Sequence, residues 1–164
     1  RNLRQSGCVM LKIGIESGDQ HVLDQMVKGV KLDDVSIALK NLKQAGIGTY
    51  IYLLFGTPSE SYAEASNTLA FTARHNEFIT FLNLAIFNMP IAYGEKKSLS
   101  KKVFYEGDLS LYTNFAHPAG WNRKNVRSFL EREFKKHPAI KPIIQSDPTI
   151  FTSNHASFFI TSKE

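Results

Sequence analysis

Two short stretches set small residues beside polar ones directly after apolar runs: "ESGDQ" (16–20) and "GTPSE" (56–60). A third, "NMPIAYG" (88–94), follows another apolar run. In the first, Glu16 can accept hydrogen bonds from an amine or a ribose hydroxyl pair, and Ser17 can both donate and accept. Glycine lets backbone approach a ligand or turn sharply, and a helix that follows offers unpaired N–H groups to an anionic or polar group. The same residues also suit plain local structure: Ser17 or Asp19 capping the next helix, Gly18 making the turn, Glu16 solvated. Spacing leaves both readings open. Recurrence of the theme at successive strand ends favours a binding site.

The elements that would carry these loops follow from periodicity. Residues 9–15 ("VMLKIGI"), 48–56 ("GTYIYLLFG") and 78–90 ("FITFLNLAIFNMP") are predicted as strands. Between them, Val22, Leu23, Met26 and Val27 fall at helical spacing over 19–28. Leu32, Val35, Ala38, Leu39, Leu42 and Ala45 do so in the next segment, with Gly46 in the stop position. A third helix follows Pro58, with Glu60 and Glu64 suited to its positive end and Ala65, Leu69 and Ala73 facing inward. Strands joined by helices of this length are normally parallel, which makes the first half of the chain α/β. Ligands of such sheets bind outside the carboxyl ends of the strands, where the three loops lie.

After Pro90 the pattern becomes loop-like, aromatic and basic. One helix is predicted over about 122–137, with Val126, Phe129, Leu130 and Phe134 buried, Asn122 as N-cap and Pro138 as its stop. The Pro-punctuated tail ends in a possible edge strand. The organisation expected is therefore 1–94 and a C-terminal extension over 95–164.

Composition narrows the chemistry. A single cysteine, Cys8, rules out an internal disulfide framework and any thiolate cage built by this chain alone. A reducing, cytoplasmic setting is the default. No run approaches the ~20 apolar residues of a membrane span, and "RNLRQSG" lacks the apolar core of a signal peptide. The chain does not begin with Met and is expected to be processed or a piece of something longer. Between Lys96 and Lys141, eleven Lys and Arg face four acids, a net +7. That suits either a nucleic-acid footprint or the solvated face of a helix and a loop. The five histidines (21, 75, 117, 137, 155) have no metal-site spacing, and "TSNH" (152–155) lacks an acid partner for a triad. "FAHPAGW" (115–121) reads as core closure or as a binding turn in which His117 and Trp121 stack on a ligand.

Taken in order, "GCVMLKIGIESGDQHVLDQMVKG", "KQAGIGTYIYLLFGTPSES" and "LNLAIFNMPIAYG" resemble the second half of the radical S-adenosylmethionine enzymes. The likeness is strongest to the branch often carrying a cobalamin-binding domain. It covers roughly residues 5–94, and "FTSNHASFF" is similar to the C-terminal extension of some members. The resemblance implies strands four to six of a partial (β/α)6 barrel. It implies that Glu16 and Ser17 hold the ribose and methionine portions of S-adenosylmethionine, that Gly56 and Pro58 back the adenine, and that Asn88 and Met89 line its pocket. The family's "GLPGET" is here "GTPSES", with Thr57, Ser59 and Ser61 as departures, and its "PGT" is here "PIAYG". The three cysteines that hold the family's [4Fe–4S] cluster are absent.

The expectation is thus an α/β fragment, three parallel strands with helices forming half of a barrel, plus a mixed extension. Its parent would be a radical S-adenosylmethionine oxidoreductase or methyltransferase, with the cluster, and cobalamin where present, held by the parent. The fragment alone would be inactive. Its partners would be the missing barrel half, or a second copy through bare sheet edges unless the tail covers one. The alternative is a non-enzymatic domain that engages nucleic acid or an acidic partner through residues 96–141.

Overall fold

In the strand over residues 48–55 the pleat alternates large side chains between two faces, and its neighbours stay in register with it except for a slip after Gly14, so each face can be read residue by residue. The computed structural model describes residues 2–90, 112–113, 115–147 and 154–160. Its elements in chain order are α1 (Asn2–Gln5), β1 (Met10–Glu16), α2 (Gln20–Gln25), α3 (Leu32–Gln44), β2 (Gly48–Phe55), α4 (Tyr62–Arg74), β3 (Phe81–Ile86), β4 (Met89–Pro90), β5 (Tyr112–Thr113), α5 (Arg123–Phe129) and α6 (Lys141–Gln145). The chain is α/β: β1, β2 and β3 form an open parallel sheet in that order, while β4 and β5 pair antiparallel in a separate small sheet.

One face of the parallel sheet is apolar except for the buried Thr49 at its amino end. Ile13, Ile51 and Leu82 lie in register across it, and Leu53 and Phe55 continue it toward Leu84 and Ile86. Val35 and Leu39 of α3, Ala65 and Phe71 of α4, and Val126 and Phe129 of α5 all pack into this one core. The Phe55 ring meets Phe134 edge-on at 5.3 Å, so the extension closes on the carboxyl end of the central strand. The opposite face is different. There Lys12, Tyr50 and Phe81 are in register, then Gly14, Tyr52 and Asn83. Tyr50 and Phe81 are covered by Ala156 and Ile160. Farther toward the carboxyl ends, Lys12 and Gly14 are exposed, and Tyr52 and Asn83 are half-buried.

Several expectations are corrected. The strand predicted over 78–90 is shorter: residues 76–78 form a 3-10 turn, and Met89–Pro90 belong to the second sheet. The helix predicted over 122–137 starts on its Asn122 cap but widens into a π-helix at Leu130–Phe134. Residues five apart then fall on nearly the same face, which lets Phe129, Leu130 and Phe134 all reach the core. In the tail, Lys141–Gln145 is helical and Ala156–Phe159 is a 3-10 turn that covers a face of the sheet, where an edge strand was expected. Lys96, Lys97, Lys101 and Lys102, the "IAYG" of the third loop, and Thr152 and Ser153 lie outside the described residues. Among the described residues no helix is long and apolar enough to cross a membrane.

Candidate functional site

The loop after β1 is stitched to α4. The register of β1 slips between Gly14 and Glu16, and Glu16 takes φ +70°, a left-handed conformation that costs a non-glycine residue roughly 1–2 kcal/mol. Its carboxylate accepts from Lys28 Nζ at 3.1 Å and remains partly exposed. Ser17 is fully buried. Its hydroxyl lies 3.1 Å from Thr68 Oγ1 and accepts from the Asp19 N–H at 3.1 Å, while the Gly18 N–H donates to Thr68 Oγ1 at 3.0 Å. Gly18 is needed for this approach, because a Cβ there would lie 2.8 Å from the Thr68 Cα. Asp19 caps α2 by accepting from the Val22 N–H at 3.0 Å.

In the loop after β2, Ser61 is the N-cap of α4 and forms a capping box with Glu64. The Ser61 contacts hold the Glu64 carboxyl below its ordinary pKa. Glu60 takes a different part from the one expected of it. Rather than sitting at the helix end, it turns inward, 1% exposed, and accepts from the Gly56 N–H. The same carboxylate oxygen accepts from Trp121 Nε1 at 3.2 Å. Burial drives its pKa up to about 7, opposed by these two donors and assisted by the charges of Glu64 and Asp19. Glu60 Oε1 and the neighbouring Thr57 Oγ1 are buried with no hydrogen-bond partner among the described residues. Gly56 has φ +81°, and a Cβ there would stand 3.2 Å from Val126 Cγ2.

At the end of β3, the Phe87 N–H donates to Phe55 O at 2.8 Å and carries the pairing one step further. Asn88 is exposed and accepts from Arg123 Nη1. Between the two strand ends and the extension lies a cavity of about 490 Å³. Gly56, Asn88 and Met89 line it from the sheet; Phe115, His117, Trp121 and Arg123 line it from the extension. His117 accepts from the Ala119 N–H at Nδ1 (3.1 Å), so its Nε2 carries the proton and donates to Thr57 O at 2.7 Å. A second cavity of about 460 Å³ lies at the amino end of the sheet, beside Gly48, Thr80 and Ile160.

Three of the six residues expected at a site therefore meet at one cavity: Gly56, Asn88 and Met89. Glu16, Ser17 and Pro58 do not line it. Ser17 faces Thr68, and Pro58 is exposed on the loop. Glu60, Phe115 and Arg123 were missed. Glu60 four residues after a glycine was visible, but its partner Trp121 is 61 residues away.

The cavity has the size of a small-molecule site, with aromatic faces, a carboxamide, a guanidinium and a glycine that admits close backbone approach. These residues fit the adenosyl part of a nucleoside-like ligand. They do not fit an iron–sulfur cluster. The lone thiol, Cys8, precedes β1 at the amino end of the sheet, and among the described residues no three His, Cys, Asp or Glu side chains gather as a metal site. Compared with protein-family models and with curated proteins, the chain matches none.

Proposed function

We propose that this chain is the C-terminal half of a radical S-adenosylmethionine enzyme and that the strand-end cavity receives the adenosyl part of the cofactor. One observation carries the reading. The three parallel strands follow one another in chain order, and α3, α4 and α5 all pack on the same face of the sheet. Parallel sheets are usually covered on both faces, whereas in (β/α) barrels helices cover the outside and the other face lines the interior. The cavity lies at the carboxyl ends, where such folds bind their ligands.

In this reading Gly56 gives the base a flat backbone wall, and Trp121 and Phe115 offer aromatic faces against it. Asn88, held by Arg123, presents its amide, and Met89 closes the floor. Glu16, with its partly exposed carboxylate, is the member of the β1 loop able to accept from ribose hydroxyls. Ser17 acts by fixing that loop on Thr68. The bound cofactor would supply radical or methyl-transfer chemistry; these residues bind and orient it. The cluster, and cobalamin where present, belong to the rest of the barrel, so this chain alone is inactive.

Calorimetric titration with S-adenosylmethionine tests the reading. Saturable one-site binding is expected, about tenfold weaker in Asn88→Ala, which removes an exposed amide from the cavity wall. Absence of binding at millimolar cofactor overturns it.

A further inference from the structure

The extension grips the strand-end loops through three side-chain donors: His117 Nε2 to Thr57 O, Trp121 Nε1 to Glu60 Oε2, and Arg123 Nη1 to Asn88 Oδ1. Two of the acceptors are neutral and stay acceptors at any ordinary pH. The third is a carboxylate with no cation beside it among the described residues. The charged groups that reach Glu60 are Glu64 on α4 and Asp19 in the loop after β1, both anionic. On the extension, His117 is engaged with Thr57 and Arg123 with Asn88. The nearby Tyr62 hydroxyl bonds to Glu133 at 2.7 Å. Glu60 is thus a buried carboxyl held by two N–H donors, both belonging to residues that line the cavity, and one of its oxygens has no partner among the described residues.

We propose that Glu60 is a positioning residue whose charge state sets where the Trp121 wall of the cavity stands, so that the shape of the cavity follows proton binding at Glu60. When ionised, the carboxylate draws both N–H groups and holds Gly56 and Trp121 as observed. When protonated, it loses the charge-assisted part of both bonds, and the proton goes to an oxygen that has no partner. The indole is then held by a weaker, neutral hydrogen bond to Oε2 and by packing against Tyr62 and Phe129 at 5.8 and 5.9 Å. A shift near neutrality, about 7, places this change within the working range of most proteins. The inference concerns the wall and does not depend on which ligand the cavity takes.

Trp121 is the single tryptophan of the chain, so its fluorescence reports on this contact without labelling. Emission is followed from pH 5 to 9 in the whole chain, in Glu60→Gln and in Glu64→Gln. One titration step centred near pH 7 is expected, absent in Glu60→Gln and kept in Glu64→Gln. Flat emission in the unmodified chain, or the same step in Glu60→Gln, overturns the proposal. Should Glu60→Gln fail to fold, carboxyl-carbon NMR of Glu60 decides between the unmodified chain and Trp121→Phe. Loss of the indole donor is expected to raise the Glu60 midpoint, since the charged form loses a partner. An unchanged midpoint overturns the coupling.

Discussion

The hydroxyls of Ser17 and Thr68 lie 3.1 Å apart in the interior and bind the loop after β1 to the middle of α4. Thr68 donates to Glu64 O at 3.1 Å and accepts from the Gly18 N–H; Ser17 accepts from the Asp19 N–H. Thr68→Val therefore leaves the buried Gly18 N–H without an acceptor and the Ser17 O–H without one for its proton, while Ser17 still accepts from Asp19. A loss of about 1–3 kcal/mol is expected, read as a lower urea midpoint at unchanged slope. An unchanged midpoint would mean that water satisfies both groups.

Glu16 offers a cleaner separation of strain from charge. Glu16→Ala removes the half-exposed Lys28 ion pair and keeps the left-handed backbone; Glu16→Gly removes both. The glycine variant should be more stable than the alanine variant by about 1 kcal/mol, and salt should not change the gap. Equal stability would argue that φ at residue 16 relaxes in solution.

Glu60 makes stability depend on pH in a definite direction. Its folded pKa, about 7, lies above the ordinary 4.5, so between these values the native state binds more protons than the unfolded chain. Its contribution is full below about 4.5, falls as pH rises toward 7, and is then lost. The amount is on the order of 3 kcal/mol. Denaturation at pH 5 and pH 8 should therefore differ more in the unmodified chain than in Glu60→Gln. Parallel pH profiles for the two would refute this assignment.

The outer edge of β1 has no strand beside it among the described residues, and Met10, Leu11 and Ile13 along it are half-buried apolar side chains. Self-association that grows with concentration is expected in sedimentation velocity, because such an edge is a template for another strand. A monomer at every concentration would mean that residues outside those described shield the edge.

What could be read from the sequence divides along physical lines. The hydrophobic periods of α3 and α4, and the β-branched and aromatic run of β2, are local signals, and they located those elements. The limits of β3 were not legible, since 78–90 is mostly apolar and its polar residues, Thr80, Asn83 and Asn88, follow no period that separates turn, strand and second sheet. The π-helical turn at Leu130–Phe134 depends on packing against Phe55, which no neighbouring residue encodes. Gly56, Asn88 and Met89, which the resemblance implies as site positions, line one cavity because they stand at the carboxyl ends of neighbouring strands. The burial of Glu60 was hidden. A glutamate just before a helix has a ready local explanation, and its actual partner arrives from the extension.

The turn at Ala156–Phe159 has a consequence for the order in which the chain is made. Tyr50 and Phe81 are covered by Ala156 and Ile160, residues translated long after the strands they protect. At ordinary elongation rates of about 5–20 residues per second, that face stays uncovered for roughly 4–15 s after β3 is made. Through that interval an aromatic surface on a nearly complete sheet is open to chaperones and to other nascent chains. Residues 156–160 thus set when that face is closed as well as covering it.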